Sequence, residues 1–206
     1  MFTHLLTLRN TVITLCLLPF LSILLDIFTN NLGANAIQAL HIRLGDWSLR
    51  FLWLTLTVTP IQVFTNWQGM AQYRQLIGLF AFFYASVHLL VYLLLDQALQ
   101  WHNISLDILE SSYIWFGIFA YCILILLALS SPNKAKKILG KSWKKLHRWI
   151  YYAAVAVIIH YYSQLKGNLT EPFVYSVILG LLLLFRLGVW YKNKQLGRLM
   201  IPRGKK

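Results

Sequence analysis

The sequence predicts an all-α integral membrane protein, a six-helix transmembrane bundle with both termini cytoplasmic. Three observations carry that prediction. Of 206 residues, 58% are hydrophobic and only 12% charged, whereas a soluble domain averages about 25% charged residues. The apolar residues fall into six runs, each close to the roughly 20 residues that a spanning helix requires. The basic residues gather in blocks beside those runs, the pattern of loops that stay on the cytoplasmic side.

Taken in order, the expected spans are Thr11 to Phe28, Trp47 to Phe64, Leu76 to Leu95, Tyr113 to Leu129, Trp149 to Ser163 and Phe173 to Trp190. The first follows Arg9 and precedes Ala34-Asn35-Ala36, which has the form of a signal-peptide cleavage site. Its apolar stretch exceeds the about 7 to 15 residues of a secretory signal, so it is expected to be retained as a span. Pro19 and Pro60 mark places where a helix kinks or ends. The fifth run is the least hydrophobic and carries Tyr151, Tyr152, His160, Tyr161 and Tyr162, so one of its faces is expected to look into the bundle. Arg186, in the sixth, lies near enough to Lys192 to snorkel toward the inner surface, a structural role. No repeat of solenoid type and no low-complexity segment is present.

The loops set the orientation. Lys134, Lys136, Lys137, Lys141, Lys144, Lys145 and Arg148 crowd the fourth connection, and Lys192, Lys194, Arg198, Arg203, Lys205 and Lys206 crowd the tail. Both are expected inside, and the third connection, with Asp96, Asp107 and Glu110 but no Lys or Arg, outside. A formal charge of +13 would suggest nucleic acid in a soluble chain. Here its placement points to anionic lipid headgroups, and no nucleic-acid partner is expected. Trp47, Trp67, Trp143, Trp149 and Trp190 sit at span ends, as aromatic belts do. Cys16 and Cys122 are isolated in apolar runs, which leaves no framework for disulfides, thiolate zinc or covalently attached haem.

The histidines carry the chemistry. His88 and His160 lie inside the third and fifth runs, and an ionisable group at membrane depth is by default a functional-site candidate. At about 1.5 Å per residue, His88 is about 12 Å from Asp96 outside and His160 about 6 Å from Gln164, so both fall in the outer half. Two imidazoles at one depth on separate helices can hold a haem iron from both faces. Ala81 and Ala153, each seven residues before its histidine, lie on nearly the same helical face and leave room for a macrocycle. His147, thirteen residues before His160, would stand about 20 Å away, toward the inner side, but about 220° around an ideal helix. A kink or nonhelical start near His147 is needed for it to face the same channel. Its partner on the third span would fall at Arg74 or Gln75, neither a usual haem ligand, so the inner site is incomplete as a histidine pair. His4, His41 and His102 are expected in solvated positions, with His41, beside Arg43 and Asp46, the one to test.

The segments LGANAIQALHIRLGDWSLRFLWLTLTVTP, YRQLIGLFAFFYASVHLLVYLLL and LGKSWKKLHRWIYYAAVAVIIHY resemble the MsrQ (YedZ) branch of the ferric reductase-like transmembrane family. The likeness spans almost the whole chain and is strongest at the LGKxWxxLH run and the step from His147 to His160. The resemblance implies one ferric reductase-like transmembrane domain over residues 1–206. It implies haem b, one or two, with His88 and His160 axial to the outer iron and His147 at an inner one, and it associates FMN with the family without locating it. It further implies an electron carrier of the bacterial inner membrane that draws on the quinone pool or a cytosolic flavin reductase. The acceptor would be the periplasmic molybdopterin subunit MsrP, where methionine sulfoxide in oxidised proteins is reduced; this chain would carry electrons for that oxidoreductase complex.

The rival from another class is a proton or cation transporter with His88 and His160 as a relay. A third reading is a purely structural assembly subunit, which would tolerate loss of both histidines.

Overall fold

A computed structural model describes residues 2–67, 69–165 and 167–200, and these form helices joined by short connections, with no strand among them. Helix α1 spans Phe2–Phe28, α2 Ala36–Thr65, α3 Met70–Val91, α4 Trp101–Glu110, α5 Ser112–Leu129, α6 Asn133–Leu139, α7 Lys141–Leu146, α8 Ile150–Gln164 and α9 Thr170–Met200. The side chains of His4 and Arg198, and Arg203, Lys205 and Lys206 of the tail altogether, lie outside what is described.

Four helical stretches are long and apolar enough to cross a membrane: Leu8–Phe28, Gln72–Asp96, Ser112–Leu129 and Thr170–Lys194. They match the first, third, fourth and sixth expected spans. The expected second and fifth do not qualify by length and composition alone. Helix α2 carries Arg43, Asp46 and Arg50 in its first half, and α8 has only 15 residues. Both are instead the close partners of an apolar neighbour: α2 packs chiefly on α3, and α5 on α8.

Local chemistry sets the boundaries. The Asn35 side chain accepts the Gln38 N–H at 3.0 Å and caps α2, whose other end closes on Asn66 in a left-handed conformation. Such a short polar residue tolerates that conformation best after glycine. Helix α3 runs on into a single π-helical turn, Tyr92–Asp96, a distortion found often beside functional sites. The acidic third connection folds into α4, and the basic fourth into α6 and α7, split at Gly140 with φ +48°. His147–Trp149 form a 3-10 turn ahead of α8, which supplies the nonhelical start that the angular argument required.

Small residues allow the helices to approach. Ala81, Ala153 and Ala154 are fully buried, and Leu44, Leu52, Leu56 and Tyr84 nearly so. Around this core, side chains bond to backbone carbonyls of neighbouring helices: Ser48 Oγ to Ala81 at 3.0 Å, Tyr84 Oη to Cys16 at 2.8 Å, and Trp53 Nε1 to Tyr175 at 3.0 Å. Leu15, Leu18, Leu21 and Leu25 of α1 and Leu181, Leu184 and Leu187 of α9 remain exposed, an apolar exterior suited to lipid.

Arg186 does not snorkel. Its guanidinium turns inward, donating from Nη2 to the Leu56 carbonyl at 3.0 Å and to Thr59 Oγ1 at 2.9 Å, and from Nη1 to Tyr151 Oη. Pro60 explains the first of these bonds. It has no N–H to give the carbonyl four residues earlier, and Arg186 supplies the missing donor.

Candidate functional site

The structure brings His88 of α3 and His160 of α8 together, with ring centroids 6.4 Å apart and planes at 90°. Each ring is tethered by Nδ1 to a backbone carbonyl: His88 to that of His41 at 3.0 Å, His160 to that of Tyr113 at 2.8 Å. A carbonyl can only accept, so Nδ1 carries the proton and Nε2 keeps its lone pair. This arrangement is the usual second shell of a metal-ligating histidine, fixing tautomer and ring direction.

The spacing suits a shared metal. Imidazoles bound through nitrogen at about 2 Å place their centroids roughly 6 Å apart across one ion. The protein donors are two imidazoles with Nε2 free, and these would hold a haem, whose iron brings its remaining ligands with it. Among the described residues no group of three or more His, Cys, Asp or Glu stands ready for a bare ion. The residues present therefore fit a haem.

His41 departs from its expected place. Its side chain is 16% exposed, its ring lies 5.1 Å from that of His88, and its Nε2, 4.0 Å from an Asp96 oxygen, is buried without a hydrogen-bond partner among the described residues. Burial lowers its pKa, against the opposing pull of Asp96. His41, whose backbone carbonyl tethers His88, thus lies within the bundle. His102 is exposed, as expected.

The inner end is built differently. His147 Nε2 meets Ser130 Oγ at 3.1 Å, and its ring lies under Trp143, centroids 4.0 Å apart, while Trp143 Nε1 donates to the Ser130 carbonyl at 2.9 Å. Burial, then Arg74 and Lys136, push the His147 pKa down to about 4, so the ring is neutral near pH 7, as a metal ligand must be. Gln75 is already engaged: its Nε2 donates to the Ser131 carbonyl at 3.0 Å and its Oε1 accepts from Lys136 Nζ. Between them lies a cavity of about 640 Å³, walled in part by Arg74, Gln75, Lys136, His147, Tyr151 and Arg186. Among the described residues no second histidine joins His147 there. Trp143 was expected only as a belt residue; its position one helical turn before His147 was the available signal.

The description "ferric reductase like transmembrane component" fits residues 12–158 of this chain. The chain belongs to the ferric reductase-like transmembrane family. It is a membrane protein, and the matched region contains His88 and His147 and ends two residues before His160. Over 191 residues it is 39% identical to the heme-binding subunit MsrQ of a protein-methionine-sulfoxide reductase from Rhodospirillum rubrum, covering 92% of each chain. A protein of the same name from Polaromonas naphthalenivorans is 38% identical over 88% of this chain and 84% of its own. The magnetosome protein MamZ of Magnetospirillum gryphiswaldense is 37% identical over 89% of this chain but only 30% of its own length. No solved structure matches the chain.

Proposed function

We propose that this chain carries electrons through b-type haem to the periplasmic subunit MsrP of a methionine sulfoxide reductase system, for repair of oxidised proteins. In this reading it sits in the bacterial inner membrane as one domain of six spans, both termini cytoplasmic, with α2 and α8 as the second and fifth crossings beside the four apolar ones. Polar side chains of α2 and α8 bond to neighbouring helices, Ser48 to Ala81 of α3, Arg50 and Trp53 to Tyr175 of α9, His160 to Tyr113 of α5 and Tyr161 to Glu171 of α9, which supports burial inside a bundle. The basic fourth connection and tail support the orientation.

The observation that carries the proposal is the facing pair His88 and His160, each held by Nδ1 to a carbonyl. When bound there, haem supplies an iron that gains and loses one electron. The chain's part is to present two neutral imidazoles, fix their planes and keep the surroundings apolar. His88 and His160 are the outer ligands; His147, with one imidazole and no histidine opposite, is the candidate for an inner one. Nδ1 bonds to carbonyls also weigh against the relay of the transporter reading, because each ring has committed its only proton.

Electrons would enter from the quinone pool or a cytosolic flavin reductase. FMN remains an implication of the family, and the cationic inner cavity is the place with charge to suit its phosphate. The test is reoxidation: haem reduced in membrane vesicles should be reoxidised when purified MsrP and a methionine-sulfoxide protein are added together. Haem that stays reduced with both present would overturn the reading.

A further inference from the structure

The two hairpins that furnish the histidines are built to one plan. A shift of 72 residues carries His41 to Tyr113, Gly45 to Gly117, Ala81 to Ala153 and His88 to His160. The fold gives this correspondence physical content. In each hairpin the residue 47 positions before the histidine accepts its Nδ1 proton on a carbonyl, at 3.0 and 2.8 Å. In each, a glycine one helical turn further along the same helix lies against the imidazole. A Cβ on Gly45 would stand 3.4 Å from both Cε1 and Nδ1 of His88, and one on Gly117 would stand 3.0 Å from the same atoms of His160.

Neither glycine is needed for its backbone. Both sit within helices and neither has positive φ, where glycine costs about 1 kcal/mol relative to alanine. Nor are they simply small residues that let two backbones meet, because the nearest neighbour of each missing Cβ is the histidine ring. Other glycines in the bundle differ. Gly78 would meet only the Thr55 side chain, at 3.5 Å, and Gly180 and Gly188 would meet nothing within 4 Å.

We propose that Gly45 and Gly117 are positioning residues for the two axial imidazoles. The carbonyl fixes which nitrogen faces the metal, and the glycine one turn away leaves the flat slot in which the ring lies. Together they set the rotation of each ring about its metal-facing axis. The slots are unequal: a methyl on Gly117 falls inside the closest ordinary contact with a ring that Tyr113 holds in place, whereas one on Gly45 reaches ordinary contact. Gly117 is therefore the stricter of the two. The inference rests on the haem reading above.

The experiment compares purified wild type with Gly117→Ala, Gly45→Ala and Gly180→Ala. It reads the low-spin EPR g values of the ferric protein and the rate of haem transfer to excess apomyoglobin. Gly117→Ala is expected to shift the g values of the outer haem and to lose that haem about 10-fold faster or more, the scale of second-shell defects at metal sites. Gly45→Ala should shift them less and Gly180→Ala not at all. Should Gly117→Ala fail to fold, Gly45→Val carries the same test in the roomier slot, with shifted g values expected. Pigmented variants at Gly117 and Gly45 that match Gly180→Ala in both measurements would overturn the assignment. A wild type without pigment would instead remove the haem reading on which it stands.

Discussion

Arg186 on α9 donates to the Leu56 carbonyl on α2 at 3.0 Å, the carbonyl left without a helical donor by Pro60. A buried carbonyl stripped of its donor costs about 1 to 3 kcal/mol. Arg186→Ala should therefore lower the thermal stability of the detergent-solubilised protein. In a Pro60→Ala background, where the backbone N–H returns, the same substitution should cost less. Equal losses in the two backgrounds would show that the two residues are not coupled.

The shift of 72 residues that matches the outer half-sites also carries Gln75 to His147. Gln75→His would place an imidazole opposite His147 while releasing Lys136 and the Ser131 carbonyl. It should raise haem bound per chain, or convert an inner high-spin signal to a low-spin one, when read by pyridine haemochrome and EPR. Unchanged content and spin state would mean that the inner cavity cannot accept a second axial ligand.

Trp143 pins His147 by stacking at 4.0 Å and by its bond to the Ser130 carbonyl. Trp143→Ala should disturb the inner site alone, leaving the outer haem's spectrum and potential unchanged. Potentiometric titration separates the two, and a shift of the outer potential would contradict this division.

The proposed six crossings would place the acidic third connection and the basic fourth on opposite sides. In a chain with Cys16→Ser and Cys122→Ser, a cysteine in place of Glu110 should react with an impermeant maleimide on spheroplasts. One in place of Lys137 should react only after lysis. Labelling of both on intact spheroplasts would rule out the topology.

Much of the helical fold was legible in the sequence, because hydropathy reports directly on lipid. The four strongest apolar runs became helices of spanning character, and His88 and His160 met as their common depth predicted. Helix α2 and helix α8 were visible as segments, but their polar residues make sense only beside the helices that partner them, α1, α3, α5 and α9. The inward turn of Arg186 meets the Leu56 carbonyl, Thr59 and Tyr151 on helices far off in the chain, which its own segment does not show. Acceptance of Nδ1 protons by the carbonyls of His41 and Tyr113 leaves no mark on residue identity, so His41 read as a surface group. The spacing shared by Gly45 with His88 and Gly117 with His160 was present to be counted. It acquired meaning only when both glycines were seen against the rings.

The most direct test of the account is haem and iron quantitation on protein made with ample haem supply, for wild type and for His88→Ala, His160→Ala and His147→Ala. The account predicts b-type haem in wild type at about one or more per chain. It predicts loss of the outer haem with either His88→Ala or His160→Ala, and retention of that haem with His147→Ala. Wild-type protein free of iron and pigment, or an outer haem undisturbed by removal of both His88 and His160, would contradict it.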